Sequence, residues 1–207
     1  MTVTSPPRRR MPRDQRNQQL IAVAETVFAE RGIAATSMEE IAERAGVTKP
    51  ILYTHFGSKD GLLAAVIARA GTDLGAAVEG AVAGAAGPED AFARGLLAYF
   101  TFMDQHRAAW LALLTETTTN SAAAEALEGI REDRARFIAA LIGAEVPGSD
   151  DVTAMTYAQV VIGACERLAT APQRGAASAP DALTSQLMDV IWLGFRSIRS
   201  GDRWENR

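Results

Sequence analysis

One stretch constrains this chain more than any other: ATSMEEIAERAGVTKPILYTHFGSKDGLL, from Ala35 to Leu63. Three helix starts crowd into it. Ser37-x-x-Glu40 has the form of a capping box, in which the serine oxygen takes the Glu40 amide and the glutamate reaches back to the Ser37 amide. Gly46 stops that helix, because only glycine enters the left-handed conformation without steric cost. Thr48 then caps a second short helix, and Pro50 falls early enough that its missing amide hydrogen is harmless. Gly57 bends the chain and Ser58 caps a third. Two short helices joined by a tight glycine turn form a helix-turn-helix, whose second helix can enter a DNA major groove.

The faces of that second helix agree. Leu52 and Phe56 are four apart and share a stripe that packs on Ile41, Ala45 and Val47. Away from the stripe lie Thr48, Lys49, Ile51, Thr54 and His55. Hydroxyls, an ammonium and an imidazole suit phosphate oxygens and base edges, and an outward isoleucine suits a thymine methyl. The same pattern would also serve a solvated helix on a small bundle.

The literal residues go further. Thr36-Ser37, Ile41-Ala42, Ala45-Gly46-Val47, Leu52-Tyr53, His55-Phe56, Ser58-Lys59 and Leu62-Leu63 follow one another with the spacing of the TetR family of dimeric transcriptional regulators. This third of the chain resembles that family; the remainder is similar to it in length and helical character. The resemblance implies an all-α fold, with a three-helix DNA-binding head and a helical body that binds an effector and dimerises. It implies that the helix from Lys49 to His55 reads the groove and that Tyr53 and Lys59 hold the phosphate backbone. Ile51 and Thr54 fall where the family varies, so they bear on operator choice. The expected DNA-binding set is Ser37, Thr48, Lys49, Pro50, Ile51, Tyr53, Thr54, His55 and Lys59.

A net charge of −4 argues at first against a DNA partner. Divided, it does not. Residues 1–61 hold nine Lys or Arg against seven Asp or Glu, and residues 62–207 hold twelve against eighteen. A basic head with an acidic body would be steered to present the head to DNA. The two lysines, Lys49 and Lys59, both lie in the helix-turn-helix stretch, among nineteen arginines in the whole chain. No uninterrupted apolar run approaches 18 residues, and the N-terminal arginines are not followed by an apolar segment, so neither a membrane span nor an export signal is expected. A single cysteine rules out an internal disulfide framework and fits a reducing cytoplasm.

In chain order, residues 1–12 (MTVTSPPRRRMP) are expected to be a disordered basic arm, with Arg8, Arg9 and Arg10 suited to phosphates or a minor groove. A solubilising tail is the equal alternative. The head is expected over 13–61, its first helix from Arg13 to Arg31 carrying Leu20, Val23, Ala24, Val27 and Phe28. The effector-binding and dimerisation body is expected over 62–207. Its first helix thins into Gly71, Gly75, Gly80 and Gly84, which weakens its far end. Helices follow over Ala91–Gln105, His106–Thr118 and Ala122–Gly143, the last with Arg131, Glu132, Asp133 and Arg134 outward. Two more, Asp150–Thr170 and Asp181–Ser200, flank a loop at Pro172–Pro180. Both are apolar over more of their circumference than one core needs, which suggests a subunit interface. By resemblance they would pair with their symmetry mates as a four-helix bundle.

Chemistry is sparse. Neither His55 nor His106 gives a metal pair at helical spacing, and no HExxH, CxxC, GxSxG or GxGxxG occurs, so no metal, cofactor or catalytic residue is expected. Cys165 reads as a small buried hydrophobe. Because the family resemblance implies a small-molecule effector, Phe100, Met103, Trp110, Leu113, Phe137, Tyr157 and Trp192 are the candidate apolar lining. Thr117, Tyr157 and Glu166 are the candidate polar anchors. Glu166, on an apolar helix, requires a cation such as Arg167 or Arg196, or solvent. Two function classes follow: a homodimeric, effector-released repressor of a palindromic operator, or a cytoplasmic small-molecule-binding helical protein or enzyme with a vestigial head.

Overall fold

The computed structural model describes residues 12–145, 150–171 and 178–200. The basic arm with Arg8, Arg9 and Arg10, and most of the Pro172–Pro180 loop, lie outside the described residues. Every regular element among the described residues is helical. The chain divides into two compact units, one ending at Val66 and the other beginning at Ile67.

The first unit holds α1 (Arg13–Arg31), α2 (Met38–Arg44), α3 (Lys49–Phe56) and the start of α4 (Lys59–Val82). Its core is Leu20, Ala24, Val27, Ile41, Leu52, Leu62 and Leu63, all essentially closed to solvent. Gly32, Gly46 and Gly57 take φ of 81°, 66° and 75°, the region that glycine enters most easily, and they turn the chain after α1, α2 and α3. Ser37 Oγ accepts the Glu40 amide at 3.2 Å as the sequence predicts. The other half of the capping box does not close, because Glu40 Oε1 turns instead to Arg31 Nε at 2.9 Å. Thr48 occupies the N-cap of α3 in extended backbone, but its hydroxyl makes no capping bond. Ser58 does cap α4, accepting the Gly61 amide at 3.0 Å.

The second unit holds the rest of α4, then α5 (Pro88–Gln105), α6 (Arg107–Glu116), α7 (Ser121–Glu145) and α8 (Asp151–Thr170). α9 (Pro180–Leu187) passes through a π-helical turn (Met188–Trp192) into α10 (Leu193–Arg199). α7 lies along α8, and α5 packs on α9 and α8. Asp150 Oδ1 caps α8 through the Thr153 amide at 2.8 Å. Arg107 crosses to the other end of α8, donating to the carbonyls of Ala169 and Ala171.

The glycines of α4 do not end it. α4 continues to Val82 because Gly71 and Gly75 are where α7 comes close. A Cβ at Gly71 would lie inside contact distance of Ile130, and one at Gly75 would overlap the Arg134 guanidinium. Arg134 Nη2 donates to the Gly71 carbonyl at 2.8 Å. By length and composition alone α4 would also reach across a membrane, with a mean hydropathy of 1.4. In this fold Leu62, Leu63, Val66 and Ile67 of that helix are core residues instead.

Opposite effects are therefore expected from two alanines on one helix. Gly71→Ala overpacks against Ile130 and should cost about 1–3 kcal/mol, outweighing the helix propensity gained. Gly80, with no neighbour for its Cβ, should gain about 0.5–1 kcal/mol as Gly80→Ala. Urea unfolding of both variants decides; equal signs would mean that the contact between α4 and α7 is not as described.

Candidate nucleic-acid interface and body cavity

The surface of α3 is built by the short α2 and the turn that follows. The Gly46 amide reaches the Glu43 carbonyl and the Val47 amide reaches that of Ala42, both at 3.0 Å, which satisfies the open end of α2 and aims the chain into α3. On α3, Leu52 is wholly buried and anchors the helix, while Thr48, Lys49, Pro50, Ile51, Tyr53 and Thr54 are exposed. Ile51 and Tyr53 are 39% and 41% exposed. Ser37, also exposed, uses its oxygen as the cap of α2 and keeps its hydroxyl hydrogen for another acceptor.

Several more of the expected contact residues already have partners within the first unit, among them Thr54, whose hydroxyl donates to the Pro50 carbonyl at 2.8 Å. Lys49 Nζ is paired with Glu39 and lies 5.6 Å from the centre of the Tyr53 ring. The hydrogen bond between them holds the Lys49 pKa above and the Glu39 pKa below their ordinary values. His55, half-buried, meets the Asn17 side-chain oxygen through Nδ1 and so ties α3 to α1. Lys59 Nζ donates to the Ala34 carbonyl at 3.3 Å. Asn17 and Glu39 were not singled out in the sequence, where each reads as an ordinary polar position on a helix.

In the second unit a cavity of about 470 Å³ opens among α4, α5, α7, α8 and the π-helical turn. Of the expected lining, Trp110, Phe137, Glu166 and Trp192 are in its wall. Phe100 and Met103 are not: they are core, 2% and 3% exposed. Leu113 and Thr117 face a separate small void beside Trp110, and the Thr117 hydroxyl is turned back to the Leu114 carbonyl. Tyr157 packs on Phe195 with ring centres 5.8 Å apart, and Phe195, not Tyr157, reaches the cavity.

The polar part of the wall differs from expectation. Glu166 is held neither by Arg167 nor by Arg196. Arg131 grips it side-on, Nε to Oε1 and Nη2 to Oε2, both at 2.8 Å. Arg131 and Arg134 were expected outward because they are charged; both instead line the cavity beside Ile130, Phe137 and Ile138. Arg134 is three or four positions from Ile130, Phe137 and Ile138, and Arg131 is four from Leu127, also in the wall. That spacing was the available signal, since such positions share a helix face. Tyr99 joins them, with burial raising its pKa so that the phenol stays neutral. Burial likewise pushes the Cys165 thiol up to about 12, so it is a neutral wall atom. Among the described residues no cluster of three or more His, Cys, Asp or Glu is placed to hold a metal ion.

The comparisons with known proteins match this geometry. The model for bacterial regulatory proteins of the tetR family covers residues 20–66, and the one for the tetracyclin repressor-like C-terminal domain covers 88–194. A TetR-like transcriptional regulator from Rhodococcus sp. RHA1 has a similar fold (TM-score 0.63) at 30% identity, over 90% of this chain and 99% of that one. The chain belongs to the TetR family of transcriptional regulators, and it is therefore a DNA-binding regulator, not an enzyme. It is 55% identical over 60 residues to the HTH-type transcriptional activator FasR of Mycolicibacterium smegmatis, covering 29% of this chain and 27% of FasR. It is also 44% identical over 69 residues to an HTH-type transcriptional repressor of Mycobacterium tuberculosis, covering 32% of this chain and 37% of that protein. The chain thus matches about a third or less of the length of these curated relatives.

Proposed function

We propose that the protein is a homodimeric repressor that sits on a palindromic operator in the cytoplasm and is released when a small molecule fills the body cavity. The observation that carries this reading is α3: Leu52 is buried beneath it while Ile51, Tyr53 and Thr54 face solvent. Such a helix is pre-organised for a groove, with Ile51 and Thr54 at base edges and Tyr53, Lys59 and the Ser37 hydroxyl at phosphates. Thr48 and Pro50 begin the helix that enters. The head of an activator is built the same way, as the FasR match illustrates, so the sign of regulation follows from where the operator lies.

Lys49 and His55 take different parts from those that their chemistry alone suggests. Paired with Glu39, Lys49 must exchange one anion for another to reach DNA, which limits its gain on random sequence and favours a guanine edge. His55 keeps only Nε2 for a partner and acts mainly as the clip to Asn17. The exposed apolar residues of the last helices, Val152, Val160, Val190 and Leu193, are the proposed dimer face. α4 belongs to both units, since it starts at Lys59 and supplies Leu74, Val78 and Val82 to the cavity wall. An effector shifts the operator-bound state only by its differential affinity for the two states.

The test is titration of a duplex from the intergenic region upstream of the gene, against scrambled duplex, at several salt concentrations. Lys59→Ala should weaken both duplexes about equally and lower the log–log salt slope by about one, the effect of one lost phosphate contact. Altered operator preference with an intact slope would overturn the placement of Lys59. Equal binding of both duplexes by the unaltered protein would overturn the operator reading itself.

A further inference from the structure

The cavity wall contains two nitrogen donors that are buried without an acceptor, Arg134 Nε and Trp192 Nε1. Such groups are rare, and each forfeits its hydration unless something else satisfies it. Their surroundings explain why nothing in the protein does. The wall is otherwise made of aliphatic and aromatic side chains, Tyr99, Cys165 and the closed Arg131–Glu166 pair.

Arg131 shows what a guanidinium on this face takes. Its Nε and Nη2 edge holds both oxygens of Glu166, the planar fork matching a carboxylate. One turn along α7, Arg134 has Nη2 on the Gly71 carbonyl and Nη1 3.8 Å from Glu79, and Nε on nothing. Glu79 is 60% exposed and is screened by water, as is Glu128, the second partner of Arg131. Within the wall itself the charged groups are Arg131, Arg134 and Glu166. One positive charge therefore has no carboxylate in the wall to match it.

Resting on the reading of this cavity as the effector site, we propose that the effector is an apolar monocarboxylate. Its carboxylate is taken by Arg134 and a further oxygen contact by the Trp192 indole N–H, while its apolar body fills the cavity. Both nitrogens are closed to solvent, so each side chain must rotate toward the ligand. For Arg134 that rotation draws the guanidinium off the Gly71 carbonyl and off Gly75. The ligand thereby competes with α4 for one side chain, which gives its binding a differential effect on α4. The π-helical turn at Met188–Trp192 places Trp192 in the wall while Val190 stays on the outside, and such turns recur at functional positions.

The experiment titrates the full chain with decanoate, decan-1-ol and decylammonium, reading the fluorescence of the cavity tryptophans Trp110 and Trp192. Decanoate is expected to bind at least about tenfold more tightly than decan-1-ol, the scale of one charge-assisted hydrogen bond, with decylammonium weakest. Equal affinity for decanoate and decan-1-ol would overturn the carboxylate assignment and leave the cavity reading standing. No response to any of the three would overturn both. Arg134→Gln should erase the preference of decanoate over decan-1-ol while helix content by circular dichroism is retained. Trp192→Phe, which keeps a ring but removes the N–H, should weaken decanoate about threefold or more, read through Trp110. A folded Arg134→Gln protein that keeps the full preference would overturn the role of Arg134. Should that variant fail to fold, Arg134→Lys keeps the charge and loses the fork, and an undiminished preference there has the same meaning.

Discussion

Placing two charges on the last helix, Val190→Glu with Leu193→Glu, is expected to give a folded monomer whose operator affinity falls by about a hundredfold or more. Both side chains face outward in the isolated chain, 74% and 45% exposed, so glutamates there meet water and should change monomer stability by only about 0.5 kcal/mol. In a dimer built on this face each would be buried against its symmetry mate with no cation to offset it. Loss of the partner removes the second head, and with it the high effective concentration that a linked half-site contact provides. The half-buried Ile191 is a less clean position, because a charge there would disturb the monomer as well. Light scattering at micromolar concentration, with anisotropy on operator duplex, reads both effects. A double variant that stays dimeric places the interface on another face.

The second large effect separates two neighbours on α3. Leu52→Ala should destabilise the head by about 2–5 kcal/mol, since Leu52 is wholly closed to solvent. Ile51→Ala, one residue earlier but 39% exposed, should leave stability within about 0.5 kcal/mol. It should instead cost about 1–3 kcal/mol on operator DNA and much less on scrambled duplex, as expected for a side chain at a base edge. Thermal unfolding and operator affinity of both variants give four numbers. If Ile51→Ala loses stability and keeps operator preference, α3 is rotated from the orientation described.

The helices themselves were legible because their signals are local. Ser37 and Ser58 cap the helices that follow them, and Gly46 and Gly57 adopt the positive φ that ends a helix. Leu20, Ala24 and Val27 fall at the spacing that defines an apolar stripe. Family membership was legible for the same reason, since its motif is a run of capping, turn and stripe residues within one short segment. Those features depend on residues at most a few positions apart, and a sequence displays them directly.

What the tertiary structure decided is which distant groups meet. Glu40 could not be assigned to Arg31 rather than to its own cap, nor Lys49 to Glu39, nor His55 to Asn17, because each choice depends on how two helices cross. The glycines of α4 read as weakness in the sequence; in the fold Gly71 and Gly75 admit Ile130 and Arg134 of α7. The same crossing turned Arg131 and Arg134 inward, gave Glu166 its partner, and moved the cavity away from Phe100, Met103, Leu113, Thr117 and Tyr157 toward Tyr99 and Phe195. An apolar side chain has the same period on a helix whether it fills a core or walls a cavity, so periodicity could not separate them. Only the distance between helices, set by the side chains of both, leaves space in one place and closes it in another.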